Sequence, residues 1–340
     1  MAQVEEIIPG LHKISLLLPM HGLSSVFVYL FRDGNDSLLV DSGWNDEASY
    51  ENLKVAFSQI DFKIPDLKTI ILSHLHPDHI GLATRLKKEA PESKLLMHAR
   101  DAQDMVYTPD AYKVFVERLH SFLKMHGAPG VDLEQMISVV KPLEKQFTGV
   151  ARPDTLLKGG ETLQVGKWKI GVIATPGHTQ GNICLYEATS NILFSGDHIL
   201  PTITPNVSLS PIYEGDPLGD YLRSLKNLKK LDPKKILPSH EYVFEHLGKR
   251  IEEIEKHHEE RLAEVMKALG EDMDESSGYE VAEKLIWSIG SFDKLSPWQK
   301  RAAITETLAH LEYLKRNGKV LEFHEGVAVN ETVRYSKIVN

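Results

Sequence analysis

The chain has 340 residues, of which 42% are hydrophobic and 26% are charged, and these proportions are ordinary for a soluble globular protein. No stretch approaches the roughly 18 consecutive apolar residues of a membrane span, so the composition excludes both a membrane-embedded and a disordered protein. The formal net charge of -9 argues against a surface that attracts nucleic acid indiscriminately. Cys184 is the single cysteine, which excludes an intramolecular disulfide and a cysteine-rich zinc module.

The first part of the chain predicts an antiparallel meander, followed by a strand and a helix. Residues 12–17, 25–31 and 37–41 are apolar and rich in β-branched side chains. A short apolar strand then ends at Ser73, and residues 82–90 predict a helix. Strand, histidine-rich turn and helix therefore follow one another directly.

A segment between the two halves, residues 101–150, predicts polar helices interrupted by glycine and proline. Apolar side chains recur on these helices at helical spacing: Phe115, Leu119, Phe122 and Leu123. We interpret the segment as a helical insertion that lids the active site, pairs two subunits into a homodimer, or simply packs on the core.

The second half repeats the pattern of strands and helices. It predicts three strands, a helix and a further strand, at residues 168–175, 182–188, 191–197, 221–231 and 234–240. Two β-rich halves with interleaved helices favour an α/β (α+β) fold. The expected architecture is a four-layer αββα sandwich, in which both sheets are buried between helices.

Two domains are expected from this organisation. A catalytic domain spans residues 1–250 and includes the insertion, and residues 251–340 form a helical linker and a C-terminal domain. Residues 245–269 show the helical periodicity and charge spacing of a long exposed helix. From Gly278 onward the tail predicts helices and then a hairpin, an order that resembles a small winged-helix module.

A compact group of metal-ligand side chains directly follows the strand that ends at Ser73: His74, His76, Asp78 and His79. Neutral imidazoles and a carboxylate suit Zn²⁺, and they also suit Fe or Mn. A single histidine is usually structural, and in a chain with 16 histidines some pairs lie close together in the sequence by chance. Four ligands in so short a loop nevertheless indicate a metal site.

Three further ligands each follow an apolar strand, namely His178 in TPGHT, Asp197 in SGD and His240 in PSH. A rigid sheet holds side chains at strand ends in place. The order HLHPDH, PGHT, GD and a last SH resembles the metallo-β-lactamase superfamily over roughly residues 8–246. The resemblance implies a metal-dependent hydrolase with the sandwich fold of that family.

The same resemblance implies a role for each ligand. It divides them into a set for one metal ion, a set for a second ion and one bridging carboxylate: His74, His76 and His178; Asp78, His79 and His240; and Asp197. Asp41 in LLVDSG matches the buried aspartate of the family, which accepts a hydrogen bond from a histidine ligand. Taken alone, Asp41 could equally cap a turn.

The implied chemistry uses two divalent metal ions, with Zn as the first expectation and Fe or Mn as alternatives. Two such ions lower the pKa of a bridging water and polarise a carbonyl or phosphoryl oxygen, so no serine or cysteine nucleophile is needed. Asp78 and Asp197 are expected to orient the resulting hydroxide as well as to bind metal. Three weaker candidates for contact with substrate or leaving group are His198, Tyr213 and Tyr242.

Two resemblances disagree about the substrate. PGHTQGN and the Ser-His-Glu-Tyr ending resemble the glyoxalase-II-like thioesterases, whereas the tail resembles the β-lactamase-like-protein-2 group, which includes an endoribonuclease. The acidic net charge and the lack of a basic stripe interleaved with aromatics favour a small ester, thioester or lactone over RNA or another phosphodiester. A mono-iron persulfide dioxygenase is a further alternative, and a non-catalytic scaffold is the least favoured interpretation because all seven ligands are present.

The expected partner is a small-molecule substrate, with nucleic acid not favoured and no membrane. The N-terminal segment is acidic and lacks the basic and then apolar run of a secretory signal, so a cytoplasmic protein is expected. The same feature argues against a secreted β-lactamase.

Overall fold

The computed structural model describes six stretches of the chain: residues 3–19, 23–213, 215–270, 275–288, 290–326 and 331–338. Contacts within the chain divide it into two compact units. The first unit consists of Met1–Thr108, Lys145–Pro205 and Ser224–Ile251. The second unit consists of Pro109–Glu144, Asn206–Arg223 and Glu252–Asn340.

A seven-stranded sheet in the first unit contains the predicted meander. Its strands lie side by side in chain order: β1 (Gln3–Ile8), β2 (Leu11–Leu17), β3 (Ser25–Asp33), β4 (Asp36–Val40), β5 (Thr69–Leu72), β6 (Lys94–His98) and β7 (Thr155–Leu157). Neighbours from β1 to β4 are antiparallel, and neighbours from β4 to β7 are parallel. The meander and the strand before the histidine-rich loop are confirmed.

A five-stranded sheet in the same unit contains the strands of the second half: β8 (Thr162–Val165), β9 (Trp168–Ala174), β10 (Ile183–Glu187), β11 (Ile192–Gly196) and β12 (Lys235–Pro238). The order across the sheet is β12-β11-β10-β9-β8. The pairs from β8 to β11 are antiparallel, whereas β11 and β12 are parallel. Strands β9, β11 and β12 therefore run in the same direction and end at the same edge of the sheet.

The two sheets share one hydrophobic core. Tyr29 and Phe31 on β3 make edge-to-face contacts with Phe194 on β11 and Trp168 on β9, with ring centroids 4.9 and 5.5 Å apart. Each such pair adds about 0.5–1.5 kcal/mol beyond the burial of its surface. The Tyr29 hydroxyl also donates a hydrogen bond to the carbonyl of Pro238, at 2.7 Å. The core therefore fixes the strands of one sheet against those of the other.

The outer faces of both sheets are buried as well. Val28 and Leu30 on β3, Leu193 on β11 and Ile236 on β12 are fully buried, although they alternate with residues that face the shared core. A sheet with two buried faces needs cover on its outer side, which agrees with the four-layer architecture predicted from the sequence.

In the described part of the chain, helices lie between β4 and β7 and again after β11. In chain order they are α1 (Glu47–Gln59), α2 (Pro77–Ile80), α3 (Ala83–Glu89), α4 (Ala99–Asp104), α5 (Pro109–Met125), α6 (Gly130–Val140), α7 (Glu144–Phe147), α8 (Pro217–Leu228), α9 (Leu247–Ala268), α10 (Gly278–Lys284) and α11 (Pro297–Arg316). Short 3₁₀ turns lie at Ile64–Asp66, Lys141–Leu143 and Phe292–Lys294. None of the helices described here is long and apolar enough to cross a membrane.

The second unit contains small sheets beside its helices. Its strands are β13 (Ser276–Ser277), β14 (Ile286–Trp287), β15 (Gly290–Ser291), β16 (Val320–Glu325) and β17 (Thr332–Lys337), with β13-β17-β16 forming one sheet and β14-β15 a separate pair. Capping boxes begin α10 and α11, because Ser277 pairs with Glu280 and Ser296 pairs with Gln299. The predicted order of helices followed by a hairpin is confirmed, and the winged-helix assignment stays a prediction.

Helices α5 and α6 belong to the second compact unit, together with the residues that follow 252. Within this unit Asp132 on α6 accepts hydrogen bonds from Lys300 on α11, at 2.9 Å, and from the Tyr279 hydroxyl, at 2.5 Å. The segment thus packs with the tail of the chain, although the sequence places it inside a domain of residues 1–250. That domain boundary and the role of residues 101–150 stay predictions.

Candidate metal centre

The histidine-rich loop lies at the end of a buried strand in the first unit. It follows β5 and runs into the short helix α2, which begins with Pro77 directly after His76. Proline suits the first position of a helix because its fixed φ matches the helix and its missing N–H is not needed there. The loop is therefore short and rigid, and it presents the side chains of His74, Asp78 and His79 together with that of His76.

The other three ligands come from one edge of the second sheet. His178 follows β9, Asp197 follows β11, and His240 follows β12. Since these strands run in the same direction, their carboxyl ends meet at the same edge. The structure thus brings together all seven side chains that the sequence singled out as ligands, although 166 positions separate His74 from His240 in the numbering.

The first cluster consists of His74, His76, His178 and Asp197, whose ligand atoms all lie within 4.8 Å of one another. The Nδ1 atom of His76 lies 3.0 Å from Nε2 of His74 and 3.0 Å from Nε2 of His178. The Oδ2 atom of Asp197 lies 3.9 and 3.8 Å from the same two Nε2 atoms. Three imidazole nitrogens and a carboxylate thus converge on one point, as the coordination of Zn²⁺ or a similar ion requires.

The second cluster consists of Asp78, His79 and His240. Nε2 of His79 lies 3.6 Å from Oδ2 of Asp78, and Nε2 of His240 lies 3.4 Å from the same oxygen. Asp197 reaches this cluster too, since its Oδ2 lies 3.5 Å from His79 and its Oδ1 lies 3.4 Å from His240. Asp197 is therefore the one carboxylate placed against both clusters.

Buried polar atoms without partners test whether these residues fit a metal ion. Nε2 of His79, Nε2 of His240 and Oδ1 of Asp197 are buried, and none of them makes a hydrogen bond within the described residues. A buried polar atom normally has a partner, because desolvating it without one costs about 1–3 kcal/mol. All three atoms face the other ligands, so a bound cation would satisfy them together. The donor set therefore fits divalent metal ions.

Hydrogen bonds to the second ring nitrogen orient two of the histidine ligands. Asp41, fully buried and with φ at 63°, accepts from Nδ1 of His79 at 2.8 Å and also from the backbone N–H and hydroxyl of Ser73. Nδ1 of His240 donates to the carbonyl of Ser25 at 2.8 Å. With one ring nitrogen bound in this way, the other is directed into the cluster. The interpretation of Asp41 as an orienting residue agrees with this geometry, whereas nothing in the sequence marks Ser25 or Ser73 for such a role.

The electric field differs between the two clusters. Burial and the neighbouring imidazoles lower the pKa of His74 well below its usual value, and they lower the pKa of His76 to about 3. Burial also opposes the charged form of His240, but Asp197 and Asp78 outweigh it and raise the pKa of His240 to about 10. The same two carboxylates, with Asp41, raise the pKa of His79 well above its usual value against the effect of burial. The carboxylates thus give the second cluster a marked preference for positive charge.

The three weaker candidates for contact with substrate or leaving group lie in different surroundings. His198 is fully buried, and burial together with the nearby His178 lowers its pKa to about 3. Tyr242 follows His240 by two positions and is 52% exposed. Tyr213 belongs to the second compact unit, where its hydroxyl donates to Asp220 at 3.1 Å. A role for any of these three side chains in contacting substrate or leaving group stays a prediction.

Known proteins resemble this chain over most of its length. The family described as the metallo-beta-lactamase superfamily matches residues 21–240. The probable metallo-hydrolase YqjP of Bacillus subtilis is 25% identical over 90% of this chain and 93% of its own length. The beta-lactamase-like protein 2 homolog of Caenorhabditis elegans is 25% identical over 89% of this chain and 82% of its own length.

Two further relatives have names that state an activity. The acyl-coenzyme A thioesterase MBLAC2 of Gallus gallus is 24% identical over 64% of this chain and 73% of its own length. A hydroxyacylglutathione hydrolase of Bartonella quintana is 28% identical over 50% of this chain and 62% of its own length. Among solved structures, a metallo-beta-lactamase family protein of Thermus thermophilus superposes with a TM-score of 0.79 at 26% identity, covering 98% of this chain and 100% of that one.

Proposed function

Because this chain belongs to the metallo-beta-lactamase superfamily and is a metal-dependent hydrolase, we propose that its two ligand clusters form one dinuclear centre that hydrolyses small thioesters, with esters and lactones as further substrates. The position of Asp197 carries the proposal, since its two oxygens lie 3.4–3.9 Å from histidines of both clusters. A carboxylate placed against both ligand sets could serve an ion in each of them.

The relatives and the net charge support the thioester as the preferred substrate. Two relatives are named for hydrolysis of acyl-coenzyme A and of hydroxyacylglutathione, and both substrates are thioesters. The formal net charge of -9 opposes electrostatic attraction of RNA, whose binding depends on Lys and Arg contacts to phosphates. A small carbonyl substrate is therefore favoured over a phosphodiester.

The proposed mechanism assigns the residues as follows. His74, His76 and His178 would hold one ion, and Asp78, His79 and His240 would hold the other. Two divalent ions held there, with Zn as the first expectation and Fe or Mn as alternatives, would supply a water molecule of lowered pKa and polarise the carbonyl oxygen of the substrate. Asp78 and Asp197 would each accept a hydrogen bond from that water and so orient it toward the carbonyl carbon. Asp41 would keep the ring of His79 in the orientation that binding requires.

Steady-state kinetics on a panel of candidate substrates test the proposal. The panel contains acyl thioesters, aryl esters, lactones and phosphodiesters, and the metal content of the same protein is measured by mass spectrometry. Asp78→Ala should abolish turnover, whereas Asp110→Ala, which removes an exposed carboxylate on α5, should leave it unchanged. About two ions per chain and turnover of thioesters that is lost only in Asp78→Ala would support the proposal.

The other outcomes identify the rival functions. Cleavage of phosphodiesters alone would replace the proposal by a phosphodiesterase of the β-lactamase-like-protein-2 type. A single iron per chain with consumption of oxygen would indicate a persulfide dioxygenase. A protein that binds no metal would refute all three metal-dependent functions and leave a binding scaffold.

A further inference from the structure

Asp101 is a buried carboxylate outside the seven ligands, and it contacts two of the loops that carry them. It lies on α4 and is fully buried. Its Oδ2 accepts hydrogen bonds from the backbone N–H of Leu75 at 2.9 Å and from the hydroxyl of Thr179 at 2.8 Å. Its Oδ1 accepts from the backbone N–H of Gly181 at 2.5 Å. The carboxylate thus joins the loop after β5 to the loop after β9.

The joined loops supply all three histidines of the first cluster. Leu75 lies between His74 and His76, and Thr179 directly follows His178. The donors are 26, 78 and 80 positions away from Asp101 in the sequence, so the side chain serves no local turn. Residues near the start of a helix often cap their own backbone, but this carboxylate makes its hydrogen bonds with other segments instead.

The packing around this carboxylate leaves no room for a larger residue. A Cβ atom at Gly181 would lie 2.4 Å from the backbone nitrogen of Asp101 and 2.6 Å from its Oδ1. Only glycine therefore permits the close approach of the two segments. The contact between Asp101 and Gly181 therefore fixes the distance between the loops. The same carboxylate also accepts hydrogen bonds from their donors.

We propose that Asp101 is a positioning residue, which holds the His74–His76 loop and the His178 loop at the separation that the first cluster needs to bind a metal ion tightly. Asp41 would have the equivalent role in the second cluster, where it orients His79. Each cluster would then depend on its own buried aspartate. This inference rests on the proposed metal centre.

The electrostatic surroundings agree with this role. Burial raises the pKa of the Asp101 carboxyl to about 7, although the three hydrogen-bond donors act in the opposite direction. The donors therefore offset only part of the cost of burying the carboxylate, and removing them one at a time should make it less able to hold the loops.

Metal affinity tests the inference without reference to turnover. Metal-free protein is titrated with Zn²⁺ in competition with a chromophoric chelator, and Co²⁺ absorption spectra report the coordination of each ion as it binds. Asp101→Asn should weaken one of the two binding steps by about 10–100-fold, because outer partners of metal ligands contribute affinity of this size. The control is Asp110→Asn, which removes an exposed carboxylate on α5 and should change neither step by more than about twofold.

A double-mutant cycle separates positioning from general stability. Thr179→Val should weaken the same step by a smaller factor, and adding it to Asp101→Asn should cause little further loss, because both changes break the same contact. Unchanged binding of both ions by Asp101→Asn would overturn the inference, as would an equal loss in both steps accompanied by a lower Tm of the metal-free protein. Wild-type protein that binds no Zn²⁺ would instead refute the metal centre itself.

Discussion

The protein contains two groups of buried histidines, and in the first group carboxylates raise the pKa of two members, His79 and His240. The metal-ligand clusters of the first unit combine histidines with Asp78 and Asp197. The second unit buries His258 on α9 against His310 on α11, with the Nδ1 of the former 3.1 Å from the Nε2 of the latter. Short distances between ring nitrogens occur in both places, so proximity and burial do not distinguish a metal site from a packed core.

The hydrogen bonds of the pair in the second unit explain the difference. Nδ1 of His310 donates to the carbonyl of Glu306 at 2.8 Å, which leaves its Nε2 to accept from Nδ1 of His258. Both rings are thus linked in one chain of hydrogen bonds that ends on the backbone, although Nε2 of His258 is also buried and makes no hydrogen bond within the described residues. Among the described residues, neither belongs to a group of three or more metal-ligand side chains. In the first unit, by contrast, Nε2 of His79 and Nε2 of His240 each lie 3.4–3.6 Å from carboxylate oxygens of Asp78 and Asp197.

The pKa directions follow from the same difference. Burial, together with the charges of Arg261 and His257, lowers the pKa of His310 to about 4 and that of His258 well below its usual value. In the second metal-ligand cluster two carboxylates overcome burial and raise the pKa of His240 to about 10. The carboxylates beside His79 and His240 therefore set these two rings apart from the pair in the second unit, whereas His74 and His76 share the lowered pKa of that pair.

Removal of the shared carboxylate should have the largest effect. Asp197→Asn should lower kcat for a hydrolysed thioester by at least about a thousandfold, since it disturbs both clusters at once. His310→Leu should leave kcat per folded molecule within about twofold, because that histidine would have no part in the reaction. Equal losses in the two variants would show that the distinction between the histidine groups is wrong.

Metal removal should affect only one of the two groups. Dialysis against a chelator should abolish turnover and lower the Tm by several degrees, because an ion at a thousand times its Kd stabilises a folded protein by about 4 kcal/mol. Adding Zn²⁺ or Mn²⁺ back should restore both. A variant with both His258→Leu and His310→Leu should show the same shift in Tm on metal removal, and a reduced shift would place a metal ion in the second unit.

Acid should destabilise the protein through the histidine pair of the second unit. Its neutral rings are buried near Arg261, His257, Tyr221 and Glu306, so the folded state resists protonation. The contribution of this pair to the free energy of unfolding is fully present above pH 6.5 and is lost as the pH falls toward about 4. Between these pH values the unfolded chain takes up protons on the two histidines, whereas the folded chain does not.

The expected loss from this pair is on the order of 2–4 kcal/mol. Urea unfolding of metal-free protein at pH 7.5 and pH 5 measures it, and the double leucine variant should lose less stability than the wild type over this range. His120→Gln, at a 37% exposed histidine side chain of α5, serves as the control and should keep the wild-type dependence. A double leucine variant that keeps the full pH dependence would contradict the assignment.

The tyrosine candidates should give the smallest effect. Tyr213→Phe and Tyr242→Phe should each change kcat by less than about threefold, since the first hydroxyl is bound to Asp220 and the second side chain is 52% exposed. A loss of a hundredfold in either variant, with unchanged KM and Tm, would instead assign that hydroxyl to the departure of the leaving group.

Much of the metal centre could be predicted from the sequence because its signals are local. His74, His76, Asp78 and His79 lie in one loop after an apolar strand, and each remaining ligand likewise follows a strand. Strand ends are recognisable in the sequence, and the parallel direction of β9, β11 and β12 then brings their ligands together. The two sheets and their meander were predictable for the same reason.

Other features depend on contacts between distant segments and have no local signal. Asp101 looks like an ordinary helix residue until the fold places Thr179 and Gly181 beside it. The packing of α5 and α6 with the C-terminal helices depends on contacts such as that between Asp132 and Lys300, which are 168 positions apart. Periodicity predicts that a helix has an apolar face, but it does not predict which partner covers that face.

The spread of the ligands along the chain has a consequence for synthesis on the ribosome. The loop after β5 and His178 emerge well before β12, which carries His240 as the final ligand. A nascent chain that has not yet exposed β12 can present the three histidines of the first cluster but not the complete second one. An ion bound at that stage would occupy an incomplete centre. Binding of both ions would therefore indicate that β12 has joined the edge of the second sheet.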